Sequence, residues 1–110
     1  MNRHLGSTVA ALILVALWTT PCFATETPRS LWVKAKCALC HGEDGRGDTQ
    51  SGRQVKVRDL RLEGTQKKSD EDLSKAVRGG HNKMPSFKTR LTKEEVSTLV
   101  FRIRDFAKEK

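Results

Sequence analysis

Residues 37–41 read Cys-Ala-Leu-Cys-His. Two thiols separated by two residues and followed at once by an imidazole have the spacing of covalent c-type haem attachment. Each thiol can add across a porphyrin vinyl group to make a thioether. The next residue then lies under the ring, where its imidazole can ligate iron on the proximal side. On this reading Cys37 and Cys40 are the thioether residues and His41 the proximal iron ligand of one haem c per chain. Other uses of paired cysteines fit less well. Structural zinc takes four Cys or His ligands, and after residue 24 the chain offers Cys37, Cys40, His41 and His81 in a poor pattern. A redox Cys-x-x-Cys sits beside a βαβ pattern, and none is evident here. A plain disulfide leaves the adjoining histidine without a reason.

Upstream of the motif, the first 24 residues have the pattern of a secretory signal. Arg3 and His4 precede an unbroken apolar run from Val9 to Trp18, and Cys22-Phe23-Ala24 sets small residues at the −3 and −1 positions of a cut after Ala24. Ten apolar residues are short for a transmembrane helix, which takes about 20, so a cleaved signal is favoured over an uncleaved anchor. Pro21 argues against lipidation at Cys22. The expectation is export to the periplasm, with residues 1–24 as signal peptide and 25–110 as one domain. Such a domain has 86 residues and a single Trp, a size at which an ordinary apolar core is marginal. A buried porphyrin supplies the missing apolar surface. Export also places the cysteine pair in an oxidising compartment, where haem attachment consumes both thiols.

The charge is strongly basic. With Arg3 removed, 20 Lys and Arg face 13 Asp and Glu, a net +7. An exported protein rarely meets nucleic acid, so acidic surfaces of redox proteins or membrane electron-transfer complexes are the expected partners. Neither nucleic acid nor a small-molecule substrate is expected, and the chain is read as a monomer.

Downstream, local signals place three helices. Thr27-Pro28 starts one that runs to about Ala38, with Leu31, Ala35 and Ala38 on one face and Trp32 and Val33 beside it. Gly42 to Asp48 reads as a loop that Gly52 extends. Val55-Lys56-Val57 fits strand alternation, whereas Asp59 to Glu63 also fits one helical turn. Ser69 followed by Asp70-Glu71-Asp72 starts a second helix, which Gly79-Gly80 ends. Thr92 and Glu95 form a capping box, followed by a stripe of Val96, Leu99, Val100, Ile103 and Phe106.

Between the last two helices lies His81-Asn82-Lys83-Met84-Pro85-Ser86-Phe87. Pro85 pushes Met84 out of helical conformation, and after the signal Met84 is the only methionine. A thioether in a polar loop, where no core face would hold it, is the expected distal iron ligand. His81, three residues earlier, is the rival. His/Met ligation raises the reduction potential, and a filled sixth position points to electron transfer over catalysis. The alternative is a haem enzyme or a gas-binding or sensor protein with an open or labile sixth site. Arg53, Lys56 and Arg58 are candidate propionate partners.

The chain resembles a small class I c-type cytochrome of the bacterial periplasmic kind. The likeness rests on Cys37 to Gly42, the Gly45-Arg46-Gly47-Asp48 loop, Asp59-Leu60, Gly80, Lys83 to Phe87, and Leu91-Thr92 before the last helix. It implies an all-α cytochrome c fold of three to four short helices, the first and last crossing around one covalent haem. It implies a non-enzymatic single-electron carrier with low-spin His/Met iron. It also implies a backbone carbonyl that accepts the other ring N–H of His41, at the position where Arg58 replaces a frequent Pro. Family members often carry aromatics at the places held here by Val33 and Arg102. The neighbouring Trp32 and Phe101 are therefore expected to pack the helix crossing.

Overall fold

A computed structural model describes Thr19, Pro21 and residues 25–109. The signal-peptide expectation, with Cys22 and Met1, lies outside these residues. Among the described residues the fold is all-α, with six helices and no strand: α1 Pro28–Lys34, α2 Cys37–His41, α3 Gln50–Val55, α4 Glu63–Gln66, α5 Asp70–Gly79 and α6 Lys93–Phe106. No described helix is long and apolar enough to cross a membrane.

The first helix is shorter than its sequence suggests. Thr27 caps α1 through a hydroxyl that accepts the Ser30 amide at 3.1 Å. The helix then breaks at Ala35-Lys36, where Lys36 takes a left-handed φ of 68°. The cause is a tertiary contact. Trp32 Nε1 donates to the Gly42 carbonyl at 2.8 Å, whereas in one straight helix these residues would stand about 15 Å apart along the axis. The break folds the Cys-x-x-Cys-His turn back onto α1.

α3 is the helix that the sequence hides, since Gly52 reads as loop and Val55 to Val57 as strand. Thr49 caps it by accepting the Gly52 amide at 2.8 Å, and the same hydroxyl lies 2.8 Å from the Leu39 carbonyl. Gly52 belongs here for steric reasons. A Cβ on it would lie 2.3 Å from the carbonyl oxygens of Cys40 and Gly47. Close approach of α3 to α2 thus outweighs the roughly 0.5–1 kcal/mol that glycine costs inside a helix. The single turn considered at Asp59 to Glu63 forms slightly later, as α4.

α5 and α6 begin where their caps place them. Ser69 Oγ accepts the Asp72 amide at 3.1 Å, and Thr92 and Glu95 form both halves of the capping box. Gly80, with φ +72°, turns the chain out of α5. The core is where α6 packs on α1 and α5. Leu31 and Trp32 meet Leu73, Val77, Val96, Leu99, Val100, Ile103 and Phe106 there, together with Cys37. The stripe expected on α6 is therefore the buried face.

The expected aromatic pair at the crossing needs correction. Trp32 is buried, but Phe101 is 55% exposed and Arg102 only 4%. Phe106 takes the role instead, meeting Trp32 edge to face with ring centroids 5.0 Å apart. Position 101 points outward because the stripe 96, 99, 100, 103, 106 defines the inner face and 101 lies outside it. Val33 is exposed too.

Candidate functional site

α2 consists of little more than the motif. Cys37 and Cys40 are three residues apart on one helical turn, hence on one face. Neither is in a disulfide. Cys37 is buried in the core, and burial pushes its thiol up to about 11. At neutral pH it is a protonated thiol, not a thiolate, so a metal-thiolate role would first have to overcome burial. Addition to a vinyl group ends in a neutral thioether, which suits an apolar wall.

His41 closes the turn. Its ring lies against Trp32, centroids 5.8 Å apart and tilted by 48°. Burial holds its pKa below the usual histidine value, so the imidazole is kept neutral, the form that binds metal. Nδ1 is buried and has no hydrogen-bond partner. The expected ring N–H contact to the carbonyl of Arg58 is thus not made. The carbonyls of Val57 and Arg58 lie instead against Gly47, where a Cβ would approach their oxygens to 3.4 and 3.6 Å.

The segment that follows His41 is held from three sides. The Gly47 amide donates to the His41 carbonyl at 2.8 Å, and the Leu60 amide to the Gly45 carbonyl at 2.8 Å. Trp32 takes the Gly42 carbonyl, and Arg102 Nη2 donates to the Glu43 carbonyl at 3.0 Å. Gly45, with φ +75°, leaves room for the Phe106 ring, which a Cβ there would meet at 2.5 Å.

Met84 lies 43 residues beyond His41. An isolated antiparallel bridge ties it to His81, through Met84 N to His81 O at 2.9 Å and His81 N to Met84 O at 3.1 Å. Phe87 N and Ser86 Oγ both donate to the Arg78 carbonyl, anchoring the loop to the end of α5. Gly80 lets it fold tightly, since a Cβ there would lie 2.6 Å from the Met84 carbonyl. Met84 is partly buried and packs on the cluster that holds Cys37, whereas His81 is exposed. Among the described residues no three His, Cys, Asp or Glu side chains gather as a metal cage, so His81 does not join Cys37, Cys40 and His41 as a zinc site would require.

Arg53, Lys56 and Arg58 are exposed. Arg53 is paired with Asp48, and Lys56 is the left-handed cap of α3. Sequence reasoning missed Arg102. A basic residue in a stripe of apolar ones reads as solvated surface, and only the helix packing reveals its burial.

Taken together, the residues fit a haem. Two free thiols share one face, burial keeps the adjoining imidazole in the neutral form that binds metal, and a thioether packs against the core that one of those thiols enters. The family model described as "Cytochrome C oxidase, cbb3-type, subunit III" matches residues 23–100. No curated protein matches the chain.

Proposed function

Since the chain belongs to that family of c-type cytochrome domains, which bind covalently attached haem c with iron, we propose that it is an exported single-electron carrier with His41 and Met84 as axial ligands. Cytochrome c domains typically carry electrons. When bound, the haem supplies a reversible one-electron centre. The protein's own part is to hold that centre and fix its surroundings. Cys37 and Cys40 carry the thioethers. His41 is kept neutral by burial and oriented by Trp32. Met84 is delivered by a loop pinned at Arg78.

The observation that carries this reading is that Cys37 and Met84, 47 residues apart in the chain, meet the same apolar cluster. A thioether on the distal side favours a closed, low-spin iron and hence electron transfer. The segment to residue 24 is read as a periplasmic signal. Acidic surfaces of redox proteins, or a membrane electron-transfer complex, are the proposed partners, and the family's description as an oxidase subunit supports the latter. Lys34, Lys36 and Arg90, against the single carboxylate of Glu95, line a groove of about 390 Å³ with Leu31, Phe87 and Leu91, next to the start of α2. It is a natural place for such a surface to dock.

The mass of the exported protein and its pyridine haemochrome spectrum test the covalent haem directly. Ligation is tested with carbon monoxide. The reduced protein is expected to keep its low-spin spectrum under the gas, and Met84→Ala to convert it into a gas-binding form. Binding of the gas by the unsubstituted protein would instead establish an open sixth site.

A further inference from the structure

Among the described residues Arg102 is the only charged residue that is buried. Its guanidinium lies 4.4 Å from the centroid of the Phe106 ring, donates to the Glu43 carbonyl, and pairs with Glu109. Phe106 packs on Trp32, and Trp32 on His41. The guanidinium therefore lies no more than about 15 Å from the His41 ring, the length of that path. Phe106 and Trp32, which link the two, are buried, as is Arg102 itself, so the charge is poorly screened. Glu109, the counter-charge, is nearly half exposed, whereas the Arg102 side chain is 5% exposed. Solvent weakens the field of the carboxylate more than that of the guanidinium.

We propose that Arg102 is a built-in electrostatic bias on the haem, a buried positive charge behind the proximal histidine that favours the reduced state. The inference rests on the haem-binding reading and adds a tuning residue to it. Oxidised haem carries one more positive charge than reduced haem, so a fixed cation nearby disfavours oxidation and raises the potential. A full unit charge at about 15–18 Å in a medium of effective dielectric about 20 shifts the equilibrium about fivefold. Glu109 offsets part of this bias in the parent, but deleting Arg102 alone removes the guanidinium's own contribution, about fivefold.

The test is the midpoint potential of the haem-loaded protein and three variants. Arg102→Met keeps the bulk and removes the charge, and should lower the potential by about 41 mV, the fivefold shift at about 59 mV per tenfold. Arg102→Lys keeps the charge and should stay near the parent. Glu109→Gln removes the counter-charge and should raise the potential. Opposite signs for Arg102→Met and Glu109→Gln are what a purely structural role would not produce, because loosening the same contact moves both variants the same way. The proposal is overturned by an unchanged potential in Arg102→Met, by Arg102→Lys falling as far as Arg102→Met, or by a Glu109→Gln shift that is absent or downward. If Arg102→Met does not fold, the other two variants decide. Failure of the haem reading looks different: the unsubstituted protein would carry no covalent haem and offer no potential to measure.

Discussion

Asp59 and Arg61 illustrate how a single pair stabilises a loop through its charge state. Asp59 Oδ1 accepts both the Arg61 amide at 3.0 Å and Nε at 2.9 Å, and Oδ2 accepts Nη2 at 2.6 Å. The Arg61 side-chain hydrogen bonds hold the Asp59 carboxyl below the usual aspartate value of 3.8. A depressed carboxyl pKa means that the unfolded chain binds more protons than the folded one between the two values, so stability rises with pH there. The contribution is complete above the unfolded value and is lost as pH falls through the folded one. Acid titration of stability should therefore show a limb below about pH 4 that Asp59→Asn flattens. At pH 7 the same substitution should cost no more than about 1 kcal/mol, because the pair is partly in water. An unchanged acid limb in Asp59→Asn would assign the effect to other carboxylates.

At the scale of elements, the crossing of α1 and α6 carries the domain. Trp32 is buried against Phe106 and His41, and its indole N–H satisfies a buried carbonyl. Truncating it removes packing and strands that carbonyl, so Trp32→Ala is expected to cost about 3–5 kcal/mol. Phe101 sits one residue from Arg102 but faces solvent, with the Lys108 ammonium 5.9 Å from its ring centroid. Phe101→Ala should therefore cost under about 0.5 kcal/mol, as surface substitutions do. Urea unfolding of the two variants distinguishes them, and comparable losses would mean that α6 is rotated from the orientation described. The expectation for position 101 came from the family resemblance, as the aromatic next to the place that Arg102 holds. Side-chain direction on a helix changes by about 100° per residue, so an offset of one is enough to exchange core for surface.

At the scale of the whole molecule, the excess of basic residues acts on encounter more than on fold. Of the three cations in the groove beside α2, Lys34 pairs with Glu26 at 3.2 Å, and Arg90 lies 5.7 Å from the centroid of the Phe87 ring. Electron exchange with a negatively charged protein should slow steeply as salt rises from 0.1 M to 1 M, over which the Debye length falls from about 10 to 3 Å. Stopped-flow rates at several ionic strengths check this. A flat dependence would remove steering from the description while leaving the haem chemistry intact.

Much of this protein is legible in order of locality. The haem motif, the caps at Thr27, Ser69 and Thr92, the inner stripe of α6 and the non-helical setting of Met84 all depend on residues within about four positions of one another. Capping, helical periodicity and proline sterics act over that range, so sequence by itself determined them, while the all-α class followed from the resemblance that these motifs carry. Contacts between distant segments decided the rest. The break at Lys36 exists because Trp32 must reach Gly42. α3 carries a glycine because it lies against the carbonyls of Cys40 and Gly47. Phe106 replaces Phe101 because α6 settles with its stripe inward, and that same packing buries Arg102. Apart from the inward place of Phe106, which the stripe already contained, none of these has a local signature, since each is set by how closely two segments far apart in the chain approach. The Cys37–His41 turn was evident from five residues, but its setting between Trp32, Phe106 and Arg102 required the fold.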